Sequence, residues 1–341
     1  MRSLPFPPRR TWVSWRRRPV SMWLIATRKI PRPGAGWQEI QTLPRPGRLT
    51  DRLKLEASTA RSDALATLRE AFEVRGIENP AREARLSLCA ASGVSQVALI
   101  TAPRQPLGSA AAKVQEVAAR RAAGEPLSRI VGRREFWGLS LAISSQVLDP
   151  RSETETIVEA ALSILSDRRD EPLRILDLGI GSGALLCALL TEFANARGVG
   201  VDISAEAIEV ALGNLDACGL SERAKIRAGD WTDGLEGPFD LIVANPPYIP
   251  TSDLARLPRE VRDFDPWLAL NGGIDGLAAY RRILPGSRSL LASAGWLLAE
   301  FGAEQASTLR AMAEQSGFAD PTIFKDLAGL DRVLAARPRN P

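Results

Sequence analysis

Residues 174–183 read RILDLGIGSG, a short apolar run that ends in glycines at alternate positions. The run ALLCALLTEF, with helical composition, follows at once over 184–193. A strand, a tight glycine bend and a helix in that order form one unit of an open α/β sheet. Gly179, Gly181 and Gly183 permit the bend and let a ligand approach the backbone with no Cβ in the way. Working outward, short apolar runs recur at 198–203 (GVGVDI), 224–229 (AKIRAG), 240–245 (DLIVAN) and 296–301 (WLLAEF), with helical segments between them. Strands separated by helices imply parallel βαβ units and a doubly wound, mostly parallel sheet. Ligands of such sheets lie beyond the carboxyl ends of the strands.

The bend therefore marks a cofactor site. Asp202 closes the next strand, 19 residues after Gly183, where a carboxylate can accept from both ribose hydroxyls of an adenosine. That much suits a nicotinamide dinucleotide equally well. Asp177 leads the glycines, however, and the spacing is GxGxG rather than GxGxxG. A carboxylate beside the loop favours a cationic ligand over a pyrophosphate, which needs the bare helix N-terminus. S-adenosylmethionine, with its sulfonium and ammonium, has the matching charge. The loop residues Asp177, Gly179, Ile180, Gly181, Ser182 and Gly183 are the expected cradle. After the strand at 224–229 come Asp230, placed to accept from an adenine amino group, and Trp231, placed to lie along the ring. The alternatives for these two are a helix N-cap and a core aromatic.

The strand 240–245 ends in Asn245-Pro246-Pro247-Tyr248. An amide nitrogen is a poor nucleophile because its lone pair is delocalised. To attack a methyl group, its N–H bonds must point at fixed acceptors. The Asn245 side-chain oxygen is one such acceptor and the Pro246 carbonyl a natural second. Each proline fixes φ and removes a backbone donor. Tyr248 can stack on a planar amide. These are effects of positioning and of preorganised dipoles. They suit a chain with no histidine, which excludes Ser-His-Asp chemistry and His-based metal sites. Cys89, Cys187 and Cys218 form no CxxC pair, which argues against thiolate zinc sites and a disulfide framework and fits a reducing cytoplasm. No metal is expected.

Charge is unevenly spread. Residues 1–50 hold eleven Lys or Arg against the single acid Glu39, a charge of +10, which leaves −6 on the remainder of a chain totalling +4. The first fifty residues also carry eight prolines and four tryptophans, with RRTWVSWRRRP at 9–19. No apolar run there is long enough for a membrane span or a signal peptide. The composition reads first as a disordered extension, with Met22 or a later residue as a possible start. A transit peptide and a basic docking arm are the other readings.

From 59 to about 133 the pattern is helical. TARSDALATLREAFEVRGI (59–77) sets Leu65, Leu68, Phe72 and Val74 on one side, Asn79 reads as an N-cap before Pro80, and LGSAAAKVQEVAARRAAGE (107–125) repeats the period. The segment 129–148 alternates around Gly138 and reads as a β-hairpin. The expected division is a disordered basic extension (1–55), a helical substrate-docking domain (56–128), a hairpin linker (129–148) and a catalytic domain (149–341).

Taken together, NPPY after DLGIGSG, DPRSETE at 149–155, LNGGIDGLAAYRRIL at 270–284, GWLLAEFGAEQ at 295–305 and KDLAGLDRVLAAR at 325–337 resemble the release-factor glutamine methyltransferases, the HemK/PrmC family. The resemblance spans roughly 60–337. It implies a class I S-adenosylmethionine-dependent methyltransferase fold with a seven-stranded sheet and a small helical N-terminal domain. It also implies methylation of the glutamine in the Gly-Gly-Gln motif of peptide-chain release factors. By the same match Gly179 to Gly183, Asp202, Trp231 and Asn245 contact the cofactor, and Asn245, Pro246, Pro247 and Tyr248 hold the glutamine. Ser128 stands where the family usually has tyrosine, and Asp149 and Ser152 where it has Ile and Pro. The expected protein is a cytoplasmic monomer with no membrane association and no nucleic-acid substrate. The alternatives are glutamine methylation on a ribosomal protein, against which the ETE ending at 153–155 argues, and amino-methylation of DNA or rRNA bases. The acidic body argues against the latter.

Overall fold

The computed structural model describes residues 53–339. The basic segment before Leu53 lies outside the described residues. Leu53 and Leu55 are themselves buried, and the Leu55 N–H donates to Gln115 Oε1 at 3.0 Å. The helical core therefore begins before residue 56.

That core is built from α1 (Arg61–Val74), α2 (Pro80–Ser92), α3 (Gln96–Thr101), α4 (Ala111–Ala122) and α5 (Leu127–Val131). Leu68, Phe72, Leu88, Val114 and Ala118 are fully buried between them. Val74 does not join this face; it is exposed, because α1 ends there and the chain turns away at Gly76. Pro80 occupies the first turn of α2, but Asn79 does not cap it with its side chain. Asn79 is left-handed (φ +51°) and its backbone carbonyl accepts from the Arg82 and Glu83 N–H groups.

The hairpin is shorter than the apolar alternation suggests. Residues 127–131 continue the helical domain as α5, which stops at Gly132 in the left-handed region (φ +71°). Only β1 (Arg133–Phe136) and β2 (Leu139–Ala142) then pair, antiparallel.

The catalytic body is one seven-stranded sheet. Its strands are β3 (Arg174–Leu178), β4 (Arg197–Asp202), β5 (Ala224–Ala228), β6 (Phe239–Ala244), β7 (Leu291–Glu300), β8 (Phe318–Lys325) and β9 (Asp331–Pro338). They lie in the order β5-β4-β3-β6-β7-β9-β8. The pairs from β5 through β7 are parallel, and β8 and β9 add an antiparallel edge. Helices cover both faces, so the central strands are buried almost throughout. α6 (Glu155–Ile164), α7 (Ala184–Glu192) and α8 (Ala205–Ala217) pack on the face bearing Ile175, Leu241 and Val243. α11 (Tyr280–Leu290) and α12 (Ala306–Gln315) pack on the face bearing Leu176, Leu178 and Ile242. The strand order reverses between β3 and β6, which opens a crevice at their carboxyl ends.

Between β6 and α11 the chain makes an excursion that carries the short helices α9 (Arg259–Arg262) and α10 (Trp267–Leu270). Buried arginines of the helical domain hold it. Arg121 donates to Glu83 Oε2 at 2.7 Å and to Glu260 Oε1 at 2.8 Å. Arg129 donates to Asp265 Oδ1 at 2.5 Å and to the Val147 carbonyl at 2.7 Å, and Arg151 pairs with the other Asp265 oxygen. Ser128 and Asp149, two of the positions that differ from the family pattern, bond to each other: the Ser128 hydroxyl donates to Asp149 Oδ2 at 2.5 Å.

Candidate active site

A cavity of about 390 Å³ lies at the carboxyl ends of β3, β4, β5 and β6, a volume suited to a small-molecule cofactor. Its wall includes Asp177, Gly179, Ile180, Gly181, Ser182, Asp202, Asp230, Trp231, Asn245 and Pro247. The glycine bend of the first strand and the end of the fourth thus meet in one space. Three expected residues do not line it. Gly183 starts α7 at φ +80°. Pro246 is buried, and Tyr248 is turned so that its hydroxyl lies 3.5 Å from Glu300 Oε1.

The bend is shaped by close approach. Gly179 has φ +73°, and a Cβ there would come within 3.2 Å of the Trp231 ring, so the indole lies across the loop. Trp231 itself is left-handed (φ +54°), a backbone state that costs a non-glycine residue on the order of 1 kcal/mol or more. Asp202 accepts twice from the backbone: Gly181 N–H to Oδ2 at 2.9 Å, and Ser204 N–H to Oδ1 at 2.9 Å. It fixes the loop and begins the turn into α8. Asp230 is paired with Arg282, which also donates to Asp233 Oδ2 at 2.9 Å. The pair stands at the cavity rim.

Asp177 is the electrostatic anomaly. It is 1% exposed, and its Oδ2 has no hydrogen-bond partner among the described residues. Burial, and next the charge of Asp202, push its carboxyl up to about 7. An unpartnered buried carboxylate oxygen is costly unless something supplies a donor. The fitting donor is a cationic group held in the same cavity. With Asp202, the glycine bend and the Trp231 face, the set suits a ligand with a cationic head and a nucleoside.

At the end of β6 the Asn245 Nδ2 donates to Thr154 Oγ1 at 2.9 Å. That leaves Oδ1 as the acceptor of the amide, with Asn245 in the cavity wall. The backbone after it is clamped. Gln305 Nε2 donates to the Tyr248 carbonyl at 3.1 Å and to the Gly276 carbonyl at 3.3 Å. Gly276 (φ +75°) approaches so closely that a Cβ would sit 2.3 Å from the Tyr248 oxygen. The spaced glycines of LNGGIDG therefore serve to seat the NPPY backbone. Thr154, Glu300, Gln305 and Gly276 escape a residue-by-residue reading of the sequence. Glu300 ends a strand at the chemically important edge of the sheet, and that position is the signal that could have marked it.

A parallel sheet with a glycine bend, a carboxylate ending the second strand and NPPY ending the fourth defines a class I methyltransferase. Residues 63–132 match the PrmC N-terminal domain family and residues 155–256 the methyltransferase small domain family. The release factor glutamine methyltransferase of Rhodospirillum rubrum is 47% identical over 79% of this chain and 82% of its own length. That of Bradyrhizobium diazoefficiens is 42% identical over 83% of this chain and 95% of its own. The chain belongs to the release factor glutamine methyltransferase family. The solved structure of the hMettl16 catalytic domain in complex with MAT2A 3'UTR hairpin 6 shares the fold, with a TM-score of 0.51 at 18% identity over 66% of this chain and 82% of that one. No helix among the described residues is long and apolar enough to cross a membrane, and no cluster of potential metal ligands occurs among them.

Proposed function

We propose that this protein methylates the side-chain amide of a glutamine, that of the Gly-Gly-Gln motif of peptide-chain release factors, with S-adenosylmethionine as donor. The observation that carries the reading is the Asn245 side chain. Its nitrogen is engaged by Thr154, and its oxygen is left for the cavity that also contains the unpartnered Asp177.

S-adenosylmethionine, when bound, supplies an electrophilic methyl group. This chain's residues do the rest. Asp177 would hold the ammonium of the cofactor, Asp202 would accept from its ribose, and Trp231 would cover the adenine. Asn245 Oδ1, in the cavity wall, would accept one amide hydrogen of the substrate and hold its nitrogen facing the methyl group, and the Pro246 carbonyl, behind that wall, would take the second only from a substrate that reaches past it. Positioning of this kind turns a bimolecular step into a nearly unimolecular one. The nitrogen is strongly acidic once methylated, so its proton leaves to water and no dedicated base is needed. Exposed Trp267 and Leu268 stand on the excursion at the cavity mouth, with Leu268 in its wall, and offer apolar surface to the loop that delivers the glutamine.

The test is transfer of labelled methyl from S-adenosylmethionine to a purified release factor, run beside DNA and ribosomal RNA. Label on the release factor, abolished when the motif glutamine is replaced by alanine, is the expected result. Label on nucleic acid alone overturns the reading.

A further inference from the structure

Two buried side chains outside NPPY meet behind Asn245. Thr154 ends the short 3-10 turn Ser152–Thr154 before α6 and is 4% exposed; Glu300 ends β7 and is 1% exposed. Thr154 Oγ1 accepts the Asn245 Nδ2 hydrogen at 2.9 Å. A hydroxyl that accepts there still has its own hydrogen to give elsewhere. The acceptor within reach is Glu300: its Oε2 is buried with no hydrogen-bond partner among the described residues, and the neighbouring Thr154 hydroxyl favours the ionised carboxylate. The Tyr248 hydroxyl approaches Oε1 at 3.5 Å.

Resting on the amide-methylation reading above, we propose that Thr154 and Glu300 are positioning residues. Through a one-way chain of hydrogen bonds they force Asn245 to present its oxygen, and not its nitrogen, to the reacting amide. An ionised carboxylate can only accept. With Glu300 at one end, Thr154 must donate to it, Asn245 must donate to Thr154, and Oδ1 is what remains for the cavity. If Thr154 instead donated to Asn245, the amide would turn over and meet the substrate N–H bonds with N–H bonds of its own.

Protonation of Glu300 releases this constraint. Burial pushes its carboxyl up to about 7, and Glu153 adds to the push, while the Thr154 hydroxyl, Arg332 on β9 and the Tyr248 hydroxyl oppose it. Tyr280 on α11 donates to the Glu300 backbone carbonyl at 2.6 Å, and Arg151 acts on Tyr248. The carboxyl is raised, so its ionised form, the one that fixes the polarity, is gained as pH climbs through about 7 and lost below it.

The experiment is single-turnover methyl transfer to a release factor, with S-adenosylmethionine saturating so that Asp177 stays ionised. The wild-type rate is expected to rise between about pH 6 and about pH 8. Glu300→Gln should lower the rate roughly 10- to 100-fold and flatten that profile. Thr154→Val should lower it comparably, and Thr154→Ser, which keeps the hydroxyl, should restore most of it. Thr154→Ser should keep the wild-type cofactor affinity and melting temperature, and in Thr154→Val the affinity measured by calorimetry should fall far less than the rate. An active wild type beside Thr154→Val and Glu300→Gln variants with normal rates and profiles overturns the relay. So does an equal loss in Thr154→Ser and Thr154→Val, since packing alone would explain it. A wild type that transfers no methyl to glutamine removes the amide reading itself, and the relay with it.

Discussion

Asp177 and Asp202 stand at the ends of adjacent parallel strands, and the charge of Asp202 adds to burial in pushing the Asp177 carboxyl up to about 7. The two acids divide the work. Asp202 accepts from the Gly181 and Ser204 N–H groups, whereas Asp177 Oδ2 has no partner among the described residues. Asp202 is built into the loop and keeps one further lone pair on each oxygen for a ribose hydroxyl, while Asp177 waits for a cationic ligand.

The waiting carboxyl makes cofactor affinity depend on pH. A bound ammonium favours ionised Asp177 and so lowers its pKa from about 7. Binding near neutrality therefore releases a proton. Affinity should fall as pH drops below about 7, by up to about tenfold per unit, and level off above it. Calorimetry in buffers of different ionisation enthalpy measures the proton directly. Asp177→Asn should bind more weakly and lose the dependence; an unchanged dependence would remove Asp177 from the ammonium site.

Asp202→Ala should weaken S-adenosylmethionine binding by roughly 1–3 kcal/mol, the cost of stranding donors that a carboxylate had satisfied. Titration calorimetry measures it. Part of the loss reflects the loop, because the same carboxylate holds the Gly181 N–H.

The Arg129–Asp265 pair joins the helical domain to the excursion over the cavity mouth, with side chains 5% and 2% exposed. Breaking a buried pair leaves a charge uncompensated, so Asp265→Ala should destabilise the fold by about 3–5 kcal/mol. Denaturant unfolding checks this, and a loss well under about 1 kcal/mol, the scale of an exposed pair, would show that the clamp carries little.

Gly276→Ala should damage the site without touching the cofactor. The added Cβ meets the Tyr248 carbonyl at 2.3 Å, and φ is +75°. The NPPY backbone must shift, at a cost of about 1–3 kcal/mol. Methyl transfer should fall while cofactor affinity, measured separately, is retained.

Much of this was legible before any coordinates. The strands at 174, 198, 224 and 240 announce themselves because each is a short apolar run before a bend, and Asp202 and Asn245 end two of them. Legibility failed where partners are distant in sequence. Thr154 and Asn245 are 91 residues apart, and Tyr248 and Gln305 57; no periodicity links them. The alternation over 129–148 suggests too long a hairpin because a short helix and a strand share the same apolar spacing over five residues, and only the left-handed Gly132 divides them. Ser128 and Asp149 look like unrelated departures in the sequence, yet each is the other's partner.

The most direct trial compares wild type with Asn245→Ala in methyl transfer to a release factor, located by fragment mass on the motif glutamine. The alanine chain should still bind S-adenosylmethionine, with partial weakening, while its transfer rate drops by about two to three orders of magnitude, the scale of losing one preorganised group. A variant that modifies the same glutamine at nearly the wild-type rate would contradict the account.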